Sequence, residues 1–349
     1  MRSVAGAEPM NERSVTAEAG SNIAFVKYWG ARDLERAIPA NPSISMTLDA
    51  CRSVCSATFR PSDGGAEGGA GADEVLLAEG DRLVDPGAAF TRRVLAQLDR
   101  LREWAGVRGA FRIATRNTFP AAAGIASSAS GFAALTVAAV HALGREVSSS
   151  ELSALARRSG SGSASRSVWG GFVEWPVGDE ARCAAQPIAD RDHWALCDLI
   201  AVVESGPKEV SSLDGHRRAA TSPYFERRLE RLPDKLERVR SAIRARDLAA
   251  LGPVVEEEAI DLHLVAMSSR PPIFYWQPAT LALLAVVREL RAAGVGAWAT
   301  MDAGANVHVL CEPEDEPRVA ERLEAEPAVE RVLRDRVGGG PIWREGAEL

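Results

Sequence analysis

The sequence has few cysteines, and they form no recognisable pattern. The five cysteines among 349 residues are odd in number and scattered, whereas small secreted domains carry a dense set of disulfide-bonded cysteines. Cys51 and Cys55 lie four residues apart, but no second cysteine or histidine pair follows at the spacing of a zinc site. The flanking sequence TLDACRSVCSATF is typical of a β-strand. We therefore expect ordinary strand thiols in a protein of the reducing cytoplasm.

A long hydrophobic segment is also absent. The longest nearly apolar run, residues 132–143, contains His141 and is shorter than the roughly 20 residues needed to cross a bilayer. Residues 1–14 include acidic side chains and lack the apolar region of a signal peptide. We expect no transmembrane helix, and we expect residues 1–14 to form a loose tail.

The sequence also lacks an excess of positive charge. The formal net charge of −7 argues against a broad basic surface that would bind nucleic acid. A protein of this charge that binds phosphate must use a few local cations and backbone amides. With 46% hydrophobic and 26% charged residues, the chain has the composition of a folded protein. Its length favours two lobes with a site between them.

The order of predicted elements indicates an α+β fold. Strand-like stretches and turns alternate over residues 15–59, and apolar residues recur at helical spacing over residues 225–251. Pro233 is predicted to start the second of two helices in that region. Further helices are predicted at residues 86–104, 127–143, 150–158, 254–268, 278–293 and 316–325. Strands between the later helices suggest helices on one face of an antiparallel sheet.

A phosphate-binding turn is indicated by NTFPAAAGIASSASGFAAL, residues 117–135. Small residues let backbone N–H groups approach an anion, and the N-terminus of the following helix favours negative charge. The candidate residues are Gly124, Ala126, Ser127 and Ser128. Because the lysine of the G-x-x-x-x-G-K-[ST] motif is absent, we expect Mg²⁺ to supply positive charge. Tight packing of a small-residue helix explains the same composition equally well.

A second loop of small residues, SGSGSASRSVWGGFVEW, covers residues 159–175. Its serines and glycines surround one cation, Arg166, whose guanidinium can bind a carboxylate or a phosphate through two hydrogen bonds. A flexible surface loop is the alternative. The apolar, aromatic strand that follows at once favours a loop held in place, and therefore a functional one.

Two further segments place a charged side chain at the end of a strand. Asp302 in ATMDAGANVHVL could accept a proton from a substrate hydroxyl, although capping of its own turn is the commoner role for such a residue. Lys27 in NIAFVKYWGARD could neutralise an anion or simply extend to solvent. The histidines show neither triad order nor metal spacing, and we expect all five to be structural or solvated: His141, His193, His216, His263 and His308.

Together, these segments resemble one family, the diphosphomevalonate decarboxylases of the GHMP kinase superfamily. The resemblance runs from about Asn22 to the C-terminus. The glycine-serine turn alone would indicate only the superfamily, whereas its combination with KYWG, GSGSA-x-R-S and DAG-x-N is specific to the decarboxylases. The matching segments are VKYWGARD, FPAAAGIASSASGFAAL, SGSGSASRSVWGGFVEW, KEVSS (208–212), RPPIFYW (270–276) and TMDAGANV.

The resemblance implies a two-lobed GHMP-kinase fold. Its N-terminal lobe, residues 15–195, would be of the ribosomal-protein-S5-like type, and its C-terminal lobe, residues 196–349, ferredoxin-like. It further implies ATP- and Mg²⁺-dependent decarboxylation of 5-diphosphomevalonate, through phosphorylation of the 3-hydroxyl, to isopentenyl diphosphate, ADP, phosphate and CO₂. Members of the family are commonly homodimers, and we expect a cytoplasmic enzyme.

The resemblance also assigns roles to residues. Asp302 matches the catalytic aspartate, Arg166 the arginine that binds the acidic groups of the substrate, and Lys27 the lysine near the reacting carboxylate and the γ-phosphate. The turn of Gly124, Ala126, Ser127 and Ser128 matches the ATP-phosphate loop. Substrate contacts are expected from Tyr28, Ser161, Ser163, Ser211 and Ser212. No residue is singled out as a Mg²⁺ ligand.

The sequence departs from the family at a few positions. Ala31 stands where the family usually has the second lysine of KYWGKRD, and Leu213 where some relatives have a cation. The lost charge keeps open a phosphomevalonate decarboxylase that makes isopentenyl phosphate, although the frequency of diphosphate enzymes in the family favours the diphosphate. Retention of Asp302, Arg166 and Lys27 argues against a mevalonate 3-kinase and against a non-catalytic sensor of nucleotides or isoprenoid phosphates.

Overall fold

Two β-sheets organise the chain. The structure is a computed structural model, and it describes residues 11–62, 71–120, 127–179, 183–203 and 209–349. The strands are β1 (Arg13–Val26), β2 (Ala31–Asp33), β3 (Ile38–Pro39), β4 (Ser43–Pro61), β5 (Glu74–Glu79), β6 (Arg82–Val84), β7 (Gly109–Asn117), β8 (Phe172–Trp175), β9 (Gln186–Ala189), β10 (Cys197–Val202), β11 (Ala297–Thr300), β12 (Val307–Cys311), β13 (Arg331–Arg336) and β14 (Ile342–Glu345). The helices are α1 (Ala88–Ala105), α2 (Ser127–Ala142), α3 (Ser149–Arg157), α4 (Ser212–Arg218), α5 (Phe225–Ala245), α6 (Leu248–Met267), α7 (Pro278–Ala292) and α8 (Glu316–Glu324).

The first sheet is built on two long strands, β1 and β4. Its order is β14-β1-β4-β7-β5-β6, and β8 pairs with the first part of β4 while β9 pairs with β8. Helix α2 packs against β1 and β4. Because α2 is rich in alanine and apolar on nearly its whole circumference, it is buried between this sheet and its neighbouring helices. This packing fixes the first turn of α2 over β4, where Ser130 Oγ lies 2.7 Å from Ser53 Oγ.

The second sheet has the order β11-β12-β10-β13, and all its neighbouring strands are antiparallel. Side chains alternate along β10, so Leu199 and Ala201 pack with α7 and α8. Ile200 and Val202 point to the other face, where they join a cluster with α5, α6 and the first sheet. Helices therefore cover both faces, whereas the sequence predicted helices on one face only.

Pro233 lies inside α5 and does not start a second helix, so this prediction was wrong. A proline in a helix interior removes one backbone hydrogen bond and costs about 3 kcal/mol. The helix continues because its apolar face stays buried on both sides of the proline. Burial of an apolar side chain contributes about 1.5–3 kcal/mol, and four residues of this face are each at most 5% exposed: Leu232, Leu236, Val239 and Ile243. Helix α6 likewise begins six residues earlier than predicted and contains Pro253.

Both ends of the chain differ from the predicted boundaries. Strand β1 begins at Arg13, so its first two residues belong to the segment predicted as the tail. At the other end, β14 pairs with β1, with Val15 opposite Glu345. The C-terminal residues therefore complete the first sheet, so residues 196–349 do not all belong to the second. The division near residue 195 stays a prediction. In the part of the chain that the structure describes, no helix is long and apolar enough to cross a membrane.

Candidate active site

A cleft of about 520 Å³ lies where elements of both sheets meet. The end of β1, the start of α2, the loop before β8, helix α4 and the turn after β11 all contribute to its walls. The structure brings most of the predicted site residues to this cleft: Lys27, Tyr28, Ser128, Ser161, Ser163, Arg166, Ser211, Ser212 and Asp302. Segments far apart in the sequence are thus assembled into one site.

Lys27 and Asp302 form an ion pair across the cleft. Lys27 follows β1 and is 1% exposed, and its Nζ lies 2.9 Å from Asp302 Oδ1. The same Nζ donates to the carbonyl of Ala24 at 2.6 Å, which fixes its position. The alternative of a carboxylate that caps its own turn is not what the structure shows, because among the described residues the Asp302 carboxylate hydrogen-bonds to Lys27.

Two opposing effects set the charge of Asp302. Burial alone would raise the pKa of this carboxyl group, but the charge and hydrogen bond of Lys27 outweigh burial, with further help from His308 and Arg166, so the pKa is lowered. Asp302 is therefore a carboxylate at neutral pH. It can accept a hydrogen bond or a proton from a hydroxyl group placed beside it.

Arg166 is a buried cation surrounded by neutral oxygens. It is 2% exposed, and it donates from Nε to Ser45 Oγ at 2.9 Å, from Nη1 to Ser43 Oγ at 2.5 Å and from Nη2 to Asn22 Oδ1 at 3.0 Å. Burial lowers its pKa to about 10, although Asp302 and Tyr28 partly oppose this shift. Because a buried charge is costly without an opposite charge, this arrangement suits an anionic ligand.

The serines differ in what they do. Ser128 Oγ, near the start of α2, lies 3.1 Å from Ser161 Oγ and so connects the two small-residue loops. Ser211 is the N-cap of α4, and its Oγ accepts the Asp214 amide at 3.1 Å. Ser127 is the first residue of α2 but is not among the residues that line the cleft. Gly124 and Ala126 lie outside the described residues.

His216 lines the cleft, although a structural or solvated role was predicted for it. Its ring lies 4.0 Å from the ring of Tyr28 and accepts the Gly30 amide at Nδ1 over 3.0 Å. Gly30 has a φ of +86°, and a Cβ there would meet the Phe225 ring at 2.6 Å, so this turn requires glycine. A usable signal was present, because His216 follows Ser212 by four residues and both lie on one face of α4.

Arg93 is the other residue that sequence reasoning missed. It comes from α1 and lines the cleft, with its guanidinium 4.7 Å from the centre of the Phe132 ring. No sequence signal distinguished it from other arginines on helix surfaces. It adds a third cation to the cleft walls beside Lys27 and Arg166.

No preformed metal centre is found in the described ranges, because no three His, Cys, Asp or Glu side chains there are placed to hold an ion. Cys51 and Cys55 are buried thiols of β4, as predicted. Beneath the cleft, His308 Nδ1 lies 2.7 Å from Asp198 Oδ2, and both residues are buried. These two therefore form part of the support of β12, as expected of a structural histidine.

The two-sheet fold, with its cleft between a small-residue helix N-terminus and a lysine–aspartate pair, is that of the GHMP kinase superfamily. Within it, residues 19–186 match the model of the diphosphomevalonate decarboxylase-like N-terminal domain. Residues 198–341 match that of the mevalonate 5-diphosphate decarboxylase C-terminal domain. The chain therefore belongs to the diphosphomevalonate decarboxylase family, which confirms the resemblance drawn from its motifs.

Individual relatives agree along nearly the whole chain. The diphosphomevalonate decarboxylase of Ganoderma lucidum is 35% identical over 90% of this chain and 82% of its own length. That of Saccharomyces cerevisiae is 34% identical over 88% and 79%. The solved mevalonate diphosphate decarboxylase of Enterococcus faecalis has a TM-score of 0.85 at 34% identity and covers 96% of this chain and 100% of its own. That of Staphylococcus aureus has a TM-score of 0.86 at 31% identity and covers 95% of this chain and 98% of its own.

Proposed function

We propose that the protein catalyses the ATP-dependent decarboxylation of 5-diphosphomevalonate to isopentenyl diphosphate, ADP, phosphate and CO₂. The observation that carries this proposal is the contact of 2.9 Å between Lys27 and Asp302 in a cleft that also holds the buried Arg166. Relatives that carry the decarboxylase name support it, as does a solved relative, 35% identical, in complex with MVAPP, AMPPCP and magnesium.

The residue types suit a phosphorylation followed by an elimination. The ionised Asp302 accepts the proton of the 3-hydroxyl group as that oxygen attacks the γ-phosphate of ATP, and ADP leaves. Such a transfer depends more on positioning and charge neutralisation than on a strong base, so the lowered pKa of Asp302 is compatible with this role. The bond to the carboxylate carbon then breaks, its electron pair forms the alkene, and CO₂ and the 3-phosphate depart.

The remaining predicted residues take binding roles in this proposal. Arg166 binds the substrate carboxylate or its phosphate, because its present partners are neutral oxygens. Lys27 stabilises negative charge next to Asp302. Ser127 and Ser128, with Gly124 and Ala126, bind the ATP phosphates at the start of α2. Substrate contacts come from Tyr28, Ser161, Ser163, Ser211 and Ser212.

Magnesium fits the oxygen donors of this cleft. Mg²⁺ prefers a few carboxylate oxygens together with phosphate oxygens and water, and the absence of a three-residue cluster in the described ranges agrees with an ion held largely by the nucleotide. The Ser128 hydroxyl at the start of α2 would hold it together with the phosphate oxygens of the nucleotide. When bound, the ion supplies positive charge to the phosphates of ATP.

The phosphomevalonate alternative is not favoured, because the relatives are named for the diphosphate. The observation behind it was the loss of a lysine at Ala31, and Ala31 is not among the residues that line the cleft. Leu213, at the other position without a cation, does line it.

The test is an end-point assay of the purified protein with ATP and Mg²⁺. Mevalonate, 5-phosphomevalonate and 5-diphosphomevalonate are offered separately, and ADP and CO₂ are measured independently. Equal amounts of ADP and CO₂ from the diphosphate support the proposal. Turnover of the monophosphate alone would replace it by the alternative, and ADP without CO₂ would indicate a kinase.

We further propose that the protein is a cytoplasmic homodimer. The family resemblance supports the dimer, and five free, buried cysteines are compatible with a reducing compartment. Light scattering coupled to size exclusion would give the mass in solution, and a value of one chain at micromolar concentration would overturn the dimer.

A further inference from the structure

Among the described residues, the His216 ring makes a hydrogen bond through one of its two nitrogens and none through the other. Nδ1 accepts the backbone N–H of Gly30 at 3.0 Å, and the ring packs against Tyr28 and Trp29 at centroid distances of 4.0 and 5.0 Å. Since Nδ1 acts as an acceptor, a neutral ring must carry its proton on Nε2. Nε2 has no hydrogen-bond partner among the described residues, and it is a donor on a ring that lines the cleft.

The ring is neutral in this setting. Burial lowers the pKa of His216 to about 3, and the charge of Arg228 contributes in the same direction. His216 therefore offers a hydrogen bond without a positive charge. Its tautomer is fixed by the Gly30 backbone in the turn that follows Lys27 and Tyr28, so this turn also sets the direction of Nε2–H.

Among the described residues, those that line the α4 side of the cleft are Ser211, Ser212, Leu213 and His216, and none of these four is a cation. Lys27 is engaged with Asp302, and Arg166 is fixed by side chains of the first sheet. Arg93, the third cation of the walls, comes from α1 and lies over the Phe132 ring of α2. The start of α2 is the proposed site of the ATP phosphates. A substrate whose 3-hydroxyl lies at Asp302 therefore extends its other end along α4, where hydroxyl groups and the imidazole are the polar side chains.

We propose that His216 is a specificity-determining residue that donates a hydrogen bond from Nε2 to a phosphate oxygen at the 5-end of the substrate. This inference rests on the proposed function, because it requires a substrate with a phosphorylated tail. Nδ1 stays bound to Gly30 throughout. His216 thereby couples recognition of the phosphate to the turn that carries Lys27 and Tyr28.

The test compares His216→Phe with His216→Gln. Phenylalanine keeps a ring against Tyr28 and Trp29 but has neither nitrogen, whereas glutamine supplies one acceptor and one donor. A lost hydrogen bond to a charged group predicts a rise in KM for the phosphorylated substrate of about ten- to a hundredfold in His216→Phe, with the KM for ATP unchanged. His216→Gln should recover most of this loss. His141→Phe is the matched control, because His141 stacks on Trp343 and is not among the cleft-lining residues.

A purely structural role gives a different pattern. It would lower kcat and the melting temperature of His216→Phe without a selective change in the substrate KM, and equal losses in the Phe and Gln variants would also overturn the inference. If His216→Phe does not fold, the following measurement on the wild-type protein still decides.

Nitrogen NMR of histidine-labelled wild-type protein tests the contact directly. We expect the Nε2–H tautomer in the free protein and a shift of the Nε2 resonance when 5-diphosphomevalonate is added, but not when mevalonate is added. An unchanged Nε2 resonance at saturating phosphorylated substrate overturns the inference. Failure of the proposed function is a separate result, since it appears as wild-type protein that releases no ADP and CO₂ from any phosphorylated mevalonate.

Discussion

Two groups of buried charges lie close together, and they differ in whether their charges are matched. Behind the cleft, Glu258 is 0% exposed and pairs with both Arg228 and Lys235, while Lys235 also pairs with Asp261 at 2.6 Å. In the cleft, Arg166 is equally buried but has only neutral oxygens as hydrogen-bond partners in the part of the chain that the structure describes. The first group is complete without a ligand and the second is not.

This difference separates a structural network from a binding site. Glu258 Oε1 also accepts the backbone N–H of Lys27 at 3.2 Å, so the matched group supports the strand end from which Lys27 reaches the cleft. Burial alone does not distinguish the two groups. The balance of charge does, because a buried cation without a carboxylate has the capacity to bind an anion.

The largest expected effect is that of Asp302→Asn. The variant loses the charge that accepts the hydroxyl proton, and we expect kcat to fall by about a thousandfold while ATP binding is retained. Single-turnover measurements of ADP and CO₂ would show this. Asp192→Asn removes a carboxylate that is 91% exposed and serves as the control. Near-normal turnover of Asp302→Asn would remove this residue from the mechanism.

Glu258→Gln tests the matched group. It leaves Arg228 and Lys235 buried with less negative charge, and we expect a loss of about 3 kcal/mol in the free energy of unfolding. Denaturant titration would measure it. The neighbouring Glu257 has a side chain that is 32% exposed, so Glu257→Gln should cost under about 1 kcal/mol. Equal losses in the two variants would show that the buried pairs of Glu258 contribute no more to stability than the partly exposed pairs of Glu257.

Arg166→Met tests the cation that has no carboxylate as a hydrogen-bond partner among the described residues. We expect it to change substrate binding much more than the free energy of unfolding. Arg166→Met removes a buried charge that has no bonded carboxylate, and this gain offsets the loss of its three hydrogen bonds to buried oxygens. The free energy of unfolding should therefore fall by less than about 1 kcal/mol. The KM for the phosphorylated substrate should increase by about a hundredfold. Arg238→Met, at a side chain that is 47% exposed, is the control for both measurements. A large loss of stability in Arg166→Met would show that Arg166 is mainly structural.

The smallest expected effect is on the pH profile. The folded-state pKa of Asp302 lies below its ordinary value of 3.8, so the stability that its ionisation contributes is present above the unfolded-state pKa and is lost as the pH falls through the lower, folded value. Asp302 should therefore produce no acid limb in kcat/KM between pH 5 and 8. An acid limb in that range that disappears in Asp302→Asn would show that the pKa of Asp302 is raised and not lowered.

Local patterns predicted local features well. The predicted strand at residues 307–311 coincides with β12, and the predicted helices over residues 127–143 and 150–158 agree with α2 and α3 to within one residue. The ends of the two helices are marked by residues that commonly begin or end such elements, among them Ser148 at the N-cap of α3 and Gly144 shortly after α2. The predicted helix boundaries at Pro233 and Pro253 were wrong, because both helices are stabilised by distant packing that a local pattern does not contain.

The site was predictable as a set of residues but not as a geometry. The motifs indicated Lys27, Arg166 and Asp302, yet nothing local showed that Ser43, Ser45 and Asn22 would surround Arg166. The same limit applies to His216, whose partner Gly30 is 186 residues away. Its helical spacing from Ser212 was the one signal available in the sequence. Pairing across such distances depends on the assembled sheets.

The ion pair of Lys27 and Asp302 also bears on how the protein refolds. Its two members are 275 residues apart and lie at the ends of strands of different sheets, so neither sheet folded by itself contains the proposed catalytic pair. Secondary structure can return in either part of the chain before the other, but turnover requires both sheets to be docked. Recovery of activity after dilution from denaturant therefore reports the final assembly step and should lag behind the recovery of helical circular dichroism.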